Sequence, residues 1–378
     1  MNQVFITKLA AFLPNEPVSN DGIEDILGMV NGQPSKLKSL VLKSNGIKTR
    51  YYAVNSQGAL THSSAEMTAG AIRNLEDSSF TLDDIDILCC GASIPDQIIP
   101  SHASMVHGCL GISEREIIST SGACCCGIQA LKYGMLAVGS GNAQNAVCTA
   151  AELVSPLILS RNYELELENL QAMKKRPIIA FEKDFLRWML SDGAGAVLLE
   201  RNPNPQGLSL RIDWIDIFSF AGEIPTCMYA GGQKGSDHEF IGWKNFHPEE
   251  WLSQSIFAIK QDVKLLARHI VKTGTKKLAE SLRKRNINSQ DIDYLLPHIS
   301  SEYFRKPLAR EMKAQGIDIP QERWFTNLSS VGNIGSAAVY VMLEELFHSG
   351  KLAPGMRILA LVPESSRFTY AFVGLTVC

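Results

Sequence analysis

Ser121-Gly-Ala-Cys-Cys-Cys-Gly-Ile-Gln-Ala-Leu131 is the stretch that decides how this chain reads. The short apolar run Ile117–Ser119 leads into it, and Ile128–Gly139 behind it carries helical spacing. Gly122 and Gly127 therefore bracket three consecutive cysteines where a strand gives way to a helix. The N-terminus of a helix offers unpaired N–H groups and the positive end of the dipole, which favour thiolate over thiol. Only one of three adjacent side chains can point into a given pocket, so the run predicts one reactive thiol and two packing neighbours.

Outward from this point, short apolar runs alternate with helical patterns. Ile85–Ala92, Asn145–Ala151 and Ala194–Leu199 read as strands, and Ser101–Leu110 as a helix. Arg201-Asn-Pro-Asn-Pro-Gln-Gly207 is a dense turn signal and the candidate boundary between two halves, 1–202 and 203–378. Beyond it, strands are expected at Leu208–Phe218, Tyr294–Leu296, Arg357–Val362 and Tyr370–Val377. Helices are expected over one long stretch, Trp251–Arg285, and over Glu302–Ala314. The alternation gives an α/β fold with helices flanking sheets. Ala194–Glu200 and Tyr370–Val377 both look like closing strands, a weak internal echo that hints at duplication. Residues 220–250, rich in glycine and aromatics, read as an active-site cover or a subunit contact.

The 378 residues are 45% hydrophobic and 20% charged, which suits a soluble enzyme with a sizeable core. A net charge of −3 carries no nucleic-acid footprint. No apolar stretch approaches a membrane span, and the N-terminal Met-Asn-Gln-Val-Phe-Ile-Thr-Lys reads as a first strand rather than a signal peptide. Nine cysteines, three of them contiguous, do not form a disulfide framework or supply zinc-ligand spacing, so a reducing, cytoplasmic setting and no metal are expected.

Two further groups suit acyl transfer on sulfur. His298 follows Leu295-Leu-Pro at the end of a predicted strand, where α/β sheets expose catalytic groups. Asn333 lies in Ser329-Ser-Val-Gly-Asn-Ile-Gly-Ser336 before a predicted helix. Taken singly, each also reads as something plainer, a satisfied core histidine and a turn asparagine.

Together these residues resemble the ketoacyl synthase III group of the thiolase superfamily. Leu295-Leu-Pro-His-Ile is similar to its histidine motif, and Val331-Gly-Asn-Ile-Gly-Ser-Ala-Ala to its asparagine motif. Ser191-Asp-Gly-Ala-Gly-Ala-Val-Leu resembles the segment closing the first half, and Asn45-Gly-Ile-Lys-Thr-Arg an N-terminal segment. Pro100-Ser-His-Ala and Leu110-Gly-Ile precede the cysteines as in that group. The resemblance implies a thiolase-like fold of two similar halves in an α-β-α-β-α layering, with the nucleophile in 1–202 and His298 and Asn333 in 203–378.

It also implies a two-step reaction, needing no cofactor beyond substrates carried as acyl-carrier-protein or coenzyme A thioesters. Ungapped spacing to Ala130-Leu131, Gly141, Glu152 and Pro100 selects Cys124 as the acylated nucleophile, whereas a Cys-x-Gly match would select Cys125. A malonyl- or β-ketoacyl-carrier thioester would then attack, with His298 and Asn333 stabilising the enolate and the backbone N–H groups of Cys124 and Ser366 the oxyanion.

Four departures from the group carry expectations. Its triple-glycine loop is here Pro363-Glu-Ser-Ser-Arg-Phe368. Leu40 and Ser44 stand where a tryptophan and an arginine hold coenzyme A, which favours an acyl carrier protein, with Arg305, Lys306 and Arg310 (and Lys313) as its docking face or, more plainly, a solvated helix face. Ile99 replaces a bulky chain-length residue that crosses a homodimer interface into the acyl pocket, which predicts medium or long acyl chains. Phe12–Asp21 and Asn45–Tyr52 look like a branch that joins two chains into dialkylresorcinol or aryl-polyene pigments. The competing readings are a non-catalytic partner subunit and acyl transfer to an alcohol or amine.

Overall fold

The computed structural model describes residues 2–35, 37–163, 185–235, 237 and 239–378. Its centre is a sheet of nine strands: β1 (Phe5–Phe12), β2 (Ile87–Ala92), β3 (Glu116–Ser121), β4 (Asn145–Glu152), β5 (Gly193–Glu200), β6 (Leu210–Ser219), β7 (Tyr294–Pro297), β8 (Arg357–Glu364) and β9 (Thr369–Val377). The spatial order is β7-β8-β9-β6-β1-β5-β4-β2-β3.

That order contains a repeat. Outward from β1 run β5 and β4, both antiparallel to their inner neighbour, then β2 and β3, both parallel. Outward from β6 run β9 and β8, again antiparallel, then β7, parallel. A parallel bridge from Leu295 to Trp324 stands in the fifth place. The two sets are joined in the sheet through Phe5 opposite Arg211 and Ile6 opposite Leu210, with the Ile212 N–H donating to the Val4 carbonyl at 2.9 Å. The echo between the closing strands β5 and β9 is thus part of a repeat of topology that runs over four strands and a bridge.

Six helices complete the layers: α1 (Ser64–Arg73), α2 (His102–Leu110), α3 (Cys126–Ser140), α4 (Val263–Lys284), α5 (Arg305–Ala314) and α6 (Ala338–His348). The inner strands bury both faces, and their residues alternate between cores, while the edge strand β3 buries neither face fully. Leu88, Cys90, Val147 and Leu198 face an outer core with α1 and α2. Cys89, Cys148, Val197, Ala360 and Val362 face a central core with α3 and α6. Leu359, Leu361 and Phe372 face a second outer core with α4 and α5. Three cores between five layers give the α-β-α-β-α arrangement.

The expected helix over Trp251–Arg285 is interrupted. A short helix, Pro248–Ser253, ends there, and Lys260–Gln261 instead pairs antiparallel with Met228–Tyr229. Asp262 then restarts the chain as α4 by accepting the Leu265 N–H at 2.9 Å, an N-cap that helical periodicity alone does not reveal. In the glycine-rich region, Gly232–Lys234 pairs with Phe240–Gly242. Its Ser236 and His238 lie outside the described residues.

Candidate active site

The cysteine run sits where β3 hands over to α3. Gly122 has φ +146, a backbone conformation in which a side chain would be strained, and it turns the chain so that Cys125 caps α3. The three thiols then diverge. Cys125 is fully buried, its Sγ lying 3.4 Å from the Val362 carbonyl and 3.7 Å from that of Thr369. Cys126 is fully buried against Ser336 and Ser93. Cys124 is partly exposed and lines a cavity of about 510 Å³.

The same cavity is lined by His298, Asn333 and Ser366, the other residues that the sequence nominates for chemistry. His298 stands immediately after β7, its N–H donating to the Leu361 carbonyl of β8 at 2.8 Å. Burial lowers its imidazole to about 4, so the ring is neutral at ordinary pH and presents an N–H. Asn333 is fixed from both sides: its N–H donates to Met189 and its carbonyl accepts from Ser191, each at 3.0 Å. Its Oδ1 accepts the Gly335 N–H at 3.1 Å, which leaves Nδ2 outside these bonds.

The elbow is not the thiolate site that a bare helix N-terminus would be. Glu364, at the end of β8, accepts the N–H groups of Ala123 at 3.2 Å and Cys125 at 3.0 Å on Oε2, and the Ser366 hydroxyl at 2.6 Å on Oε1. The helix N-terminus is therefore already occupied by an anion. Burial inside the protein, then the charges of Glu364 and Glu152, push the Cys124 thiol well above its ordinary range. At ordinary pH Cys124 is a thiol.

Two carboxyls at this site have no role in the sequence reading, Glu364 and Glu152. Glu152 ends β4 and lines the cavity. Its Oε2 accepts the Ser93 hydroxyl at 2.6 Å and the Ser336 N–H at 3.1 Å. The signal was present: an acidic residue closing a strand whose preceding six residues are all buried and uncharged is out of place unless it is used.

The other nominated residues lie elsewhere. Ile99 is 83% exposed and does not line the cavity, although Ile98 does. Arg305 is forked onto Glu302 at 2.5 and 3.0 Å and lies over the Trp324 ring. Lys306 and Arg310 line a shallow groove with Lys313, which reaches Asp318 at 3.4 Å. Leu40 is 60% exposed, and the Ser44 hydroxyl turns back to the Val41 carbonyl. The glycine-rich region supplies Met228, Tyr229, Gly231 and Trp243 to the cavity wall. Among the described residues no helix is long and apolar enough to cross a membrane, and no cluster of metal-ligating side chains occurs.

Residues 282–362 match the family model for the 3-oxoacyl-[acyl-carrier-protein (ACP)] synthase III C terminal, the segment that carries His298 and Asn333. Beta-ketoacyl-[acyl-carrier-protein] synthase III of Chlorobaculum tepidum is 25% identical over 97% of both chains. The enzyme of that name from Clostridium beijerinckii is 24% identical over 98% of both. Over nearly its whole length this chain is thus similar to the synthase III enzymes. Its fold agrees. AbyA1, a tetronic acid condensing enzyme, superposes with TM-score 0.76 at 22% identity, over 98% of this chain and 99% of that one. A Xanthomonas campestris OleA variant solved with lauric acid and lauroyl-CoA gives 0.72 at 19% identity, over 100% and 99%. Within this synthase III-like chain, Cys124, His298 and Asn333 are brought to one cavity from three separate segments.

Proposed function

We propose that this chain forms a carbon–carbon bond by Claisen-type condensation, with the first acyl group carried on Cys124. One observation carries the reading: of three adjacent thiols only Cys124 opens into a deep apolar cavity, and His298 and Asn333 line that same cavity. The labour divides between two halves, 1–202 with the nucleophile and 203–378 with the two donors. A malonyl- or β-ketoacyl-carrier thioester supplies the attacking carbanion. The neutral His298 N–H and the Asn333 Nδ2 stabilise its enolate oxygen, where charge appears only on the way to the transition state. The backbone N–H groups of Cys124 and Ser366 receive the oxyanion of the acyl group.

The cavity wall, with Leu157, Leu186, Leu190, Trp243, Phe257 and Leu266, supports medium or long acyl chains, since each buried methylene adds about 0.8 kcal/mol. The names of the relatives support an acyl carrier protein as the partner and fatty-acid synthesis as the setting. A pigment or polyketide product is the alternative setting. Exposed Ile98 and Ile99 support a homodimer in which Ile99 reaches the partner's acyl pocket.

Intact-mass measurement with acyl-carrier thioesters of several chain lengths tests the reading. Wild type gains one acyl group, Cys124→Ala gains none, and Cys125→Ala still gains one. Adding malonyl- or β-ketoacyl-carrier thioester then discharges the acyl group into a longer product. Acylation of Cys124→Ala, or transfer only to alcohols and amines, overturns it.

A further inference from the structure

The condensation reading leaves one step without an agent. Cys124 rests as a thiol, so taking an acyl group from a thioester requires something to accept its proton. His298 is a poor acceptor, because burial holds its conjugate acid near 4. Glu364 has both carboxyl oxygens engaged, by Ala123 and Cys125 on one side and Ser366 on the other.

Glu152 differs in each respect. It faces the cavity alongside Cys124, and both of its hydrogen bonds fall on Oε2, leaving Oε1 outside them. Its place is shaped for a carboxyl. Gly335, at φ +47, passes so close that a Cβ there would lie 1.7 Å from Glu152 Oε2. Burial, opposed by the Ser93 and Ser336 bonds and aided by the charge of Asp192, raises Glu152 to about 7. A base is most effective when its pKa lies near the working pH.

The geometry points to Glu152 as a further catalytic residue, the base that takes the Cys124 proton during acyl transfer. This rests on the acyl-transfer reading above. The proton passes from Sγ of Cys124 to Glu152 Oε1 as sulfur bonds to the thioester carbonyl carbon. Collapse of the tetrahedral oxyanion breaks the bond to the carrier sulfur, and the departing carrier thiolate takes the proton back from Glu152. Charge and atoms balance with no co-reactant.

Among the described residues, Glu152 shares the cavity with Cys124 and His298, its charge also acts on Cys126, and Asp192 ahead of β5 acts on it. Asp192 is occupied by the N–H groups of Ala53, Val154 and Ser155 at 2.7 to 3.0 Å.

The test is single-turnover acylation of the full chain by an acyl-carrier thioester, followed by intact mass from pH 5.5 to 9. The same range is covered for alkylation of Cys124 by iodoacetamide. Wild type shows a rising limb near pH 7 in both reactions. Glu152→Gln keeps a side-chain acceptor for Ser93 and Ser336, loses the limb, and acylates about a hundredfold or more slowly at pH 7.5. Glu152→Asp retains the limb at a reduced rate, and His298→Ala retains it in alkylation. A Glu152→Gln protein with the wild-type rate and limb overturns the proposal. So does a wild-type alkylation profile that is flat between pH 6 and 8, a result that does not depend on any variant folding. If wild type alkylates with the limb but accepts no acyl group from any donor, the acyl-transfer reading fails and the proton pairing stands.

Discussion

The two halves of the molecule use one topology for different ends. In each, a carboxylate closes the strand next to the closing one, Glu152 on β4 and Glu364 on β8. Each reaches across to the loop before the other half's central helix. Glu364 binds the N–H groups around Cys124 ahead of α3, and Glu152 binds the Ser336 N–H ahead of α6. The loops are counterparts too: one presents a thiol, the other an amide. Duplication supplied a symmetric frame, and the chemistry comes from what differs within it. Both carboxyl oxygens of Glu364 accept hydrogen bonds, whereas both bonds to Glu152 fall on Oε2.

The largest expected effect comes from stripping the C-terminal half of its donors. His298→Ala or Asn333→Ala should cut condensation by about 10² to 10³, roughly 3 to 4 kcal/mol of transition-state stabilisation each. Acylation of Cys124 should survive, because in the proposed reaction these two side chains act on the enolate and not on the acyl oxyanion. Product formation and intact mass, measured on the same sample, separate the two. If acylation falls in parallel with condensation, the halves do not divide the work in this way.

Next is a test of what each carboxylate costs. Glu152 is raised from 4.5 to about 7 in the folded chain. Below pH 4.5 it is protonated in both states and costs nothing through ionisation. As pH rises through 4.5 the unfolded chain loses its proton first, so folding stability falls until the folded pKa is passed near 7. Glu152→Gln should therefore be more stable than wild type at pH 8, by on the order of 3 kcal/mol at most, and about equal at pH 4.5. Thermal melts at the two values read this directly. A carboxyl kept only to hold Ser336 would give a loss at both. A gain in stability with a loss of activity marks a group retained for function.

Glu364→Gln should act on the thiol rather than on the fold. Glu364 is the largest of the charges that raise the Cys124 thiol, so removing it lowers that pKa, and iodoacetamide alkylation should be faster than in wild type at the low-pH end. The amide can still accept from one side and bond Ser366 on the other, and the stability change should stay near 1 kcal/mol. An unmoved alkylation profile would show that burial alone sets the thiol, and that the two carboxylates are not counterparts in electrostatics.

How much of this the sequence disclosed follows from the range of the forces involved. Strand and helix periodicities are local, so β2, β4, β5 and α3 were legible from Ile85–Ala92, Asn145–Ala151, Ala194–Leu199 and Ile128–Gly139. The places of His298 after a strand and of Asn333 ahead of a helix were legible because their flanking motifs are contiguous. The break at Asp262 was not, because it is set by a strand pairing with Met228–Tyr229 more than thirty residues away. The thiol's protonation was misread for the same reason. A helix N-terminus favours thiolate only while its N–H groups are free, and the carboxylate that occupies them comes from 239 residues further along. Cys125 and Cys126 differ from Cys124 in direction: spacing against the resembled group nominated Cys124, but nothing within the run itself says which thiol faces the cavity.

The smallest expected effect concerns the helices that follow β2 and β7. In the N-terminal half α2 follows the exposed pair Ile98 and Ile99, while in the C-terminal half α5 carries Arg305, Lys306, Arg310 and Lys313. One end of the frame is apolar at its surface and the other basic, which suits a second copy at the first and an acidic carrier at the second. The four cations are not equal. Arg305 is held by Glu302 and Trp324, and Lys313 leans on Asp318, so Lys306 and Arg310 are better placed to receive a new anion. Arg310→Ala should raise KM for a carrier-bound substrate about two- to fivefold at low salt, since an exposed pair is worth at most about 1 kcal/mol. The difference should fade as salt screens it and be absent for the same acyl group on a small thiol. Arg305→Ala should change KM less and lower thermal stability more. The reverse ranking would place the carrier on the Glu302 side of α5 and make the Arg305 fork something the partner opens on docking.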